Sequence, residues 1–127
     1  MEVSDSDHIL LVEDDFAIRE TVADLLTGEG FEVTCAANGR EALRQLGEAG
    51  SQPGVILLDL MMPVMDGWQF RAAQQSDPRY ATIPVVVVSA DAGAEVAAAG
   101  LAPAAFLAKP FELERLLAVV GRYCSHH

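Results

Sequence analysis

The sequence predicts an α/β fold: a doubly wound (βα)5 unit built round a five-stranded parallel sheet. Short apolar runs, Ile9-Leu10-Leu11-Val12, Val55-Ile56-Leu57-Leu58 and Val85-Val86-Val87-Val88, are too uniformly hydrophobic for a one-sided sheet and suit strands covered on both faces. Segments with helical spacing alternate with these runs, the order that yields parallel strands joined by crossover helices. The 127 residues fit one domain with a sizeable core.

Each element follows in turn. After the first run, Ile18, Val22, Leu25 and Leu26 form the stripe of an amphipathic helix, which Gly28 and Gly30 end. Phe31 to Ala36 reads as the second strand, and Asn38-Gly39 turns the chain into a short helix carrying Ala42, Leu43 and Leu46. The third strand closes on Asp59; beyond the turn, Asp66 is placed to cap a helix through Trp68 and Phe70 to about Gln75. Pro84 opens the fourth strand and Ser89 ends it. The alanine-rich stretch from Asp91 to Leu101 reads as a short or irregular helix, because Gly93 and Gly100 each cost about 1 kcal/mol against alanine in a helix interior. Ala105 to Leu107 is the fifth strand, and Leu113, Leu116, Leu117 and Val120 mark a final helix reaching about Cys124. The expected strand order is 2-1-3-4-5, the flavodoxin-like arrangement. Residues 8–124 form this unit, with 1–7 expected as a flexible acidic extension and 125–127 as a tail of native or purification-tag origin.

Composition excludes several classes. A net charge of −11 offers no basic stripe to neutralise phosphates, which argues against nucleic-acid binding by this chain. No apolar window is long enough for a membrane span and the acidic start is no secretory signal, so a cytoplasmic protein is expected. Cys35 and Cys124 form no CxxC pair and read as a core thiol and a tail thiol.

The chemistry gathers at strand ends, where open α/β sheets place their ligand sites. Glu13 and Asp14 follow the first strand and Asp59 ends the third, its neighbour in the expected order. Carboxylates converging there repel one another unless a cation meets them. Oxygen-only donors suit a hard ion such as Mg2+, with Mn2+ as a substitute, and the three histidines fall elsewhere, which disfavours zinc. Ser89 adds a hydroxyl, and Lys109, the one lysine beside seven arginines, adds a point charge. A carboxylate nucleophile, a divalent cation, a hydroxyl and a lysine are the parts that receive a phosphoryl group. Asp15, last of the acidic run, reads as the first helix's cap. Met61, Met62 and Met65 read as packing residues.

Four segments, Val12-Glu13-Asp14-Asp15, Leu58-Asp59-Leu60-Met61-Met62-Pro63-Val64-Met65-Asp66-Gly67, Val88-Ser89-Ala90 and Lys109-Pro110-Phe111, fall in this order at strand ends. On them the whole chain resembles a receiver domain of the bacterial two-component response regulators. The resemblance implies that Asp59 is the phosphoacceptor. It implies that Asp14, Asp59 and the backbone carbonyl of Met61 bind Mg2+ directly, and that Glu13 acts through water. Ser89 would hydrogen-bond the phosphoryl group, Lys109 would pair with it, and Lys109-Pro110 would be a cis peptide. Phe106 occupies the aromatic switch position, without the hydroxyl of the tyrosine common there. The implied partners are a histidine kinase or phosphotransfer protein and a downstream protein. No output domain follows the final helix, so either a stand-alone regulator or one part of a longer chain is expected.

The chain departs from the family between Ser89 and Lys109, where about two positions are missing and Leu101-Ala102-Pro103-Ala104 replaces the usual Gly-Ala pair. Two rival functions fit less well. An aspartyl-phosphate Mg2+ phosphatase needs a second acid where this chain has Met61, and a degenerate receiver serving only as an interaction module would not need Glu13, Asp14, Asp59, Ser89 and Lys109 together. A nucleotide-binding domain needs a glycine-rich first loop, which Glu13-Asp14-Asp15-Phe16 is not.

Overall fold

In the computed structural model, which describes residues 7–48, 52–62, 64–90, 99–109 and 112–124, five parallel strands form one sheet. They are β1 (His8–Val12), β2 (Glu32–Ala36), β3 (Val55–Asp59), β4 (Val85–Ser89) and β5 (Ala105–Ala108), in the order β2-β1-β3-β4-β5. The helices are α1 (Phe16–Gly28), α2 (Gly39–Glu48), α3 (Gly67–Gln75) and α4 (Leu113–Val120), with a short 3-10 turn at Ala99–Leu101. The predicted fold class and strand order are both found.

Side-chain alternation along the strands divides the core into two layers. Leu10, Val12, Ile56, Leu58, Val85 and Val87 pack with Ala42 and Leu46 of α2 and Phe70 of α3. Ile9, Leu11, Val55, Leu57, Val86, Val88 and Leu107 pack with Val22 and Leu26 of α1 and with Leu116, Val119 and Val120 of α4. The same alternation sets the site. Glu13, Asp59 and Lys109 continue the α1-side series of β1, β3 and β5, whereas Ser89 and Phe106 continue the series facing α2 and α3.

The expected caps form. Asp15 accepts from the Ile18 amide, and Asp66 makes a reciprocal capping box with Gln69. Four expectations are corrected. Leu25 is an exposed flank of α1 rather than part of its buried stripe. Phe31 is buried but precedes β2, which begins at Glu32. The final helix stops at Val120, and a turn carries the chain on to Cys124. The cysteines exchange roles: Cys124 is buried in the α1–α4 layer, where burial pushes its thiol up to about 12, and Cys35 is only half-buried. Most of the short or irregular helix expected from Asp91, the cis peptide expected at Lys109-Pro110, Phe111 and the tail 125–127 lie outside the described residues, as does all but Asp7 of the N-terminal extension.

One buried polar network was invisible to pattern reading. Arg71 of α3 donates through Nε to the Leu101 carbonyl (2.9 Å), through Nη2 to that of Ala102 (3.0 Å) and through Nη1 to Gln74 Oε1 (2.7 Å). Gln74, fully buried, donates through Nε2 to the carbonyls of Tyr80 (2.8 Å) and Ile83 (3.1 Å). The pair therefore ties α3 to the approaches of both β4 and β5. Gln74→Leu takes the side-chain donor from the Ile83 carbonyl and strands one guanidinium N–H of Arg71 in the core, while the Tyr80 carbonyl keeps the Ile83 amide (3.1 Å), and we expect a loss of about 2 kcal/mol in urea unfolding. A loss below about 1 kcal/mol would show the network to be dispensable.

Candidate functional site

The carboxyl edge of the sheet brings Glu13, Asp14, Asp59, Ser89 and Lys109 to the ends of four strands. Glu13, Asp14 and Asp59 each offer a carboxylate oxygen, and these atoms all lie within 4.8 Å of one another. Glu13 and Asp59 are 3% and 6% exposed, whereas Asp14 faces solvent. Lys109 Nζ lies 2.6 Å from Glu13 Oε1 and 3.7 Å from Asp59 Oδ2, so it straddles the two buried acids and holds Glu13 more closely. The other Glu13 oxygen, Oε2, accepts from the Asp15 amide at 3.1 Å. Asp59 Oδ1 accepts from the Met61 amide at 3.2 Å.

Burial sets the electrostatics. A narrow cleft beside these groups is walled by Leu11, Ile18, Val22, Leu57 and Val88. Its apolar walls desolvate Asp59, and the Glu13 charge adds repulsion; together they push the Asp59 carboxyl up to about 7, against the opposing pull of Lys109. One ammonium shared by two buried carboxylates leaves negative charge unbalanced. The oxygen-only donor set and that imbalance both suit a divalent cation, which Glu13, Asp14 and Asp59 would hold.

The turn after Asp59 is held by close backbone approaches. The Gly67 amide donates to the Leu60 carbonyl at 3.0 Å, and a Cβ at Gly67 would stand 2.7 Å from Leu60 Cα and 2.8 Å from the Asp59 carbonyl oxygen. Only glycine lets α3 start against the backbone of Asp59 itself. Gly39, at the start of α2, donates its amide to the Met65 carbonyl at 3.0 Å. Val64 lies at φ 68°, a strained conformation for a β-branched residue. Its neighbours explain the strain, since Met62 is buried and Met65 packs on the same core layer. Met61 does not pack as expected: it is 64% exposed, beside the acids.

Ser89 is buried at the end of β4, and its carbonyl accepts the Lys109 amide at 2.9 Å. Phe106 is half-buried and packs against the α2–α3 layer, opposite Val87 in the sheet. The structure thus unites Glu13, Asp14, Asp59 and Lys109, and places Ser89 and Phe106 on the other side of the sheet's rim. Arg19 was missed in the sequence; its place one turn into α1, just after the acidic run, is the signal that points to it. Its Nη1 donates to the Glu13 carbonyl at 2.8 Å and lies 3.4 Å from that of Asp14.

Comparison with known proteins agrees with this fold. Residues 9–121 match the response regulator receiver domain family. The chain is 34% identical over 121 residues to the DNA-binding transcriptional regulator NtrC of Escherichia coli K12, covering 94% of this chain and 25% of that protein. It therefore spans a quarter of that relative's length. The chemotaxis protein CheY4 of Vibrio cholerae superposes with a TM-score of 0.83 at 32% identity, over 93% of this chain and 98% of that one. The receiver domain of a sensor histidine kinase from Pseudomonas aeruginosa PAO1, with a magnesium ion coordinated in its active site cleft, superposes with a TM-score of 0.83 at 26% identity, over 93% and 97% of the two chains.

Proposed function

The chain belongs to the response regulator receiver domain family, and from that premise we propose that it accepts a phosphoryl group on Asp59 from a histidine kinase or a phosphotransfer protein. One observation carries the assignment: Asp59 is the acid that ends a fully buried central strand, beside Glu13, Asp14 and the one lysine of the chain. In the transfer, an Asp59 oxygen forms the new P–O bond as the donor's P–N bond breaks. The transition state is loose and asks for positioning and charge neutralisation rather than acid–base chemistry.

A bound Mg2+, or Mn2+ in its place, would neutralise charge on the phosphoryl oxygens; Glu13, Asp14, Asp59 and the Met61 carbonyl are the residues to hold it. Lys109 lies within reach of Asp59 and would exchange Glu13 for the phosphoryl group. Ser89 would supply a hydroxyl, and Phe106, on the same side of the sheet, would follow it as an apolar switch. The signal would pass to a downstream protein by population shift in the region from β4 to α4. Turnover is limited to taking and losing the phosphoryl group, and a cytoplasmic setting fits this partner chemistry. Among the described residues, no helix is long and apolar enough to cross a membrane.

Incubation with acetyl phosphate tests the reading. We expect one acid-labile phosphate per chain, dependent on Mg2+ or Mn2+ and abolished by chelator. Incorporation that ignores the cation would contradict it.

A further inference from the structure

The acid loop carries two of the three carboxylates of the cation site, yet few bonds fix it. The Glu13 amide donates to the Ala36 carbonyl at 3.0 Å, which secures the start of the loop. The bond from the Asp15 amide to Glu13 Oε2 depends on a carboxylate that Lys109 engages and that a bound cation would engage too. Arg19 supplies ties of another kind. Its Nη1 reaches the carbonyls of Glu13 and Asp14, and its guanidinium carbon sits 5.4 Å from the centre of the Phe16 ring. Phe16 is 67% exposed, costly for an aromatic side chain, and the stacking gives that exposure a purpose: it holds the guanidinium against the loop from outside.

We propose that Arg19 is a positioning residue for the cation site, fixing the backbone of Glu13 and Asp14 so that their carboxylates stay convergent. The inference rests on the reading of Glu13, Asp14 and Asp59 as that site. Arg19 meets carbonyls, and among the described residues it makes no hydrogen bond to a carboxylate, so it leaves the ligand oxygens open. Its hold does not change when those carboxylates take up a proton or a metal. Arginine suits this role better than lysine, because one guanidinium nitrogen reaches both carbonyls while the flat, weakly hydrated cation lies over the Phe16 ring.

The sign of one measurement separates positioning from plain electrostatics. Removing a positive charge near a cation site should tighten cation binding by Coulomb's law. Removing a positioning residue should weaken it. The full chain is titrated with MgCl2 by calorimetry, without phosphodonor, alongside amide exchange of residues 13–16. We expect Arg19→Met to bind Mg2+ about fivefold more weakly, roughly 1 kcal/mol, with faster exchange at Asp14 and Asp15 and an unchanged far-ultraviolet spectrum. Arg19→Lys, which keeps the charge but loses the planar group over Phe16, should bind about twofold more weakly, and it decides the matter should Arg19→Met fail to fold. Wild-type or tighter affinity in these variants, while Asp14→Asn still weakens binding, would overturn the proposal and leave the site standing. Unchanged affinity in Asp14→Asn would overturn the cation site and this inference with it.

Discussion

Asp59→Asn is expected to abolish phosphate incorporation while making the metal-free protein more stable at about pH 8. The amide is nearly isosteric and can still accept the Met61 amide, but it is a poor nucleophile. The stability gain follows from the position of the Asp59 carboxyl at about 7 when folded, against 3.8 for an ordinary aspartate. Below about pH 4 the group is protonated in both states and costs nothing. Between about pH 4 and about pH 7 the unfolded chain releases the proton and the folded one keeps it, so stability falls as pH rises through that window. Asparagine removes this slope. Part of the gain is lost with the Lys109 contact, which leaves an expected increase of about 2 kcal/mol at pH 8 and none at about pH 4. Urea unfolding across that range in chelator checks it. A variant less stable than wild type at pH 8 would show that Asp59 is held charged at no cost.

Lys109→Met should have the opposite effect on the apo protein. It leaves Glu13 and Asp59 buried without their shared ammonium, an expected loss of about 3 kcal/mol at pH 8. The loss should shrink towards about pH 5 as Asp59, raised to about 7, takes up its proton. Mg2+ should restore more stability to this variant than to wild type, since it no longer competes with a fixed cation in the same site. Phosphoryl transfer should fall by about 100-fold, because charge neutralisation is the main help that the transition state receives. Urea unfolding with and without MgCl2, and the rate of incorporation, measure both effects. Equal stabilisation of the two proteins by Mg2+ would argue that Lys109 lies outside the cation's field.

The strands, their order and the meeting of Glu13, Asp14, Asp59 and Lys109 were legible because each rests on local pattern. Uniformly apolar runs mean strands buried on both faces, and a charged residue ending such a run must emerge at the sheet's edge. Side-chain alternation then decides which face it joins. What escaped depends on contacts between residues distant in sequence. Arg71 meets carbonyls 30 and 31 positions away, and nothing in the spacing of α3 marks it as buried. Cys124 follows the last helix, yet its thiol turns into the α1–α4 layer, 3.7 Å from the His8 carbonyl. Met61 has the composition of a packing residue, but the two core anchors on its loop are Met62 and Met65, which leaves Met61 outside. The closer hold of Lys109 on Glu13 than on Asp59 is a matter of ångströms that no residue pattern encodes.

Chemical mapping of the phosphorylated residue tests the central claim most directly. An aspartyl phosphate is an acyl phosphate, which borohydride reduces to homoserine, marking the acceptor with a stable change of mass. After incubation with acetyl phosphate and Mg2+, reduction and proteolysis, the account predicts homoserine at position 59 and no reduced acid elsewhere, neither homoserine at Asp14 nor 2-amino-5-hydroxyvalerate at Glu13. Homoserine at another aspartate, or phosphate retained on a residue that borohydride does not reduce, would contradict it.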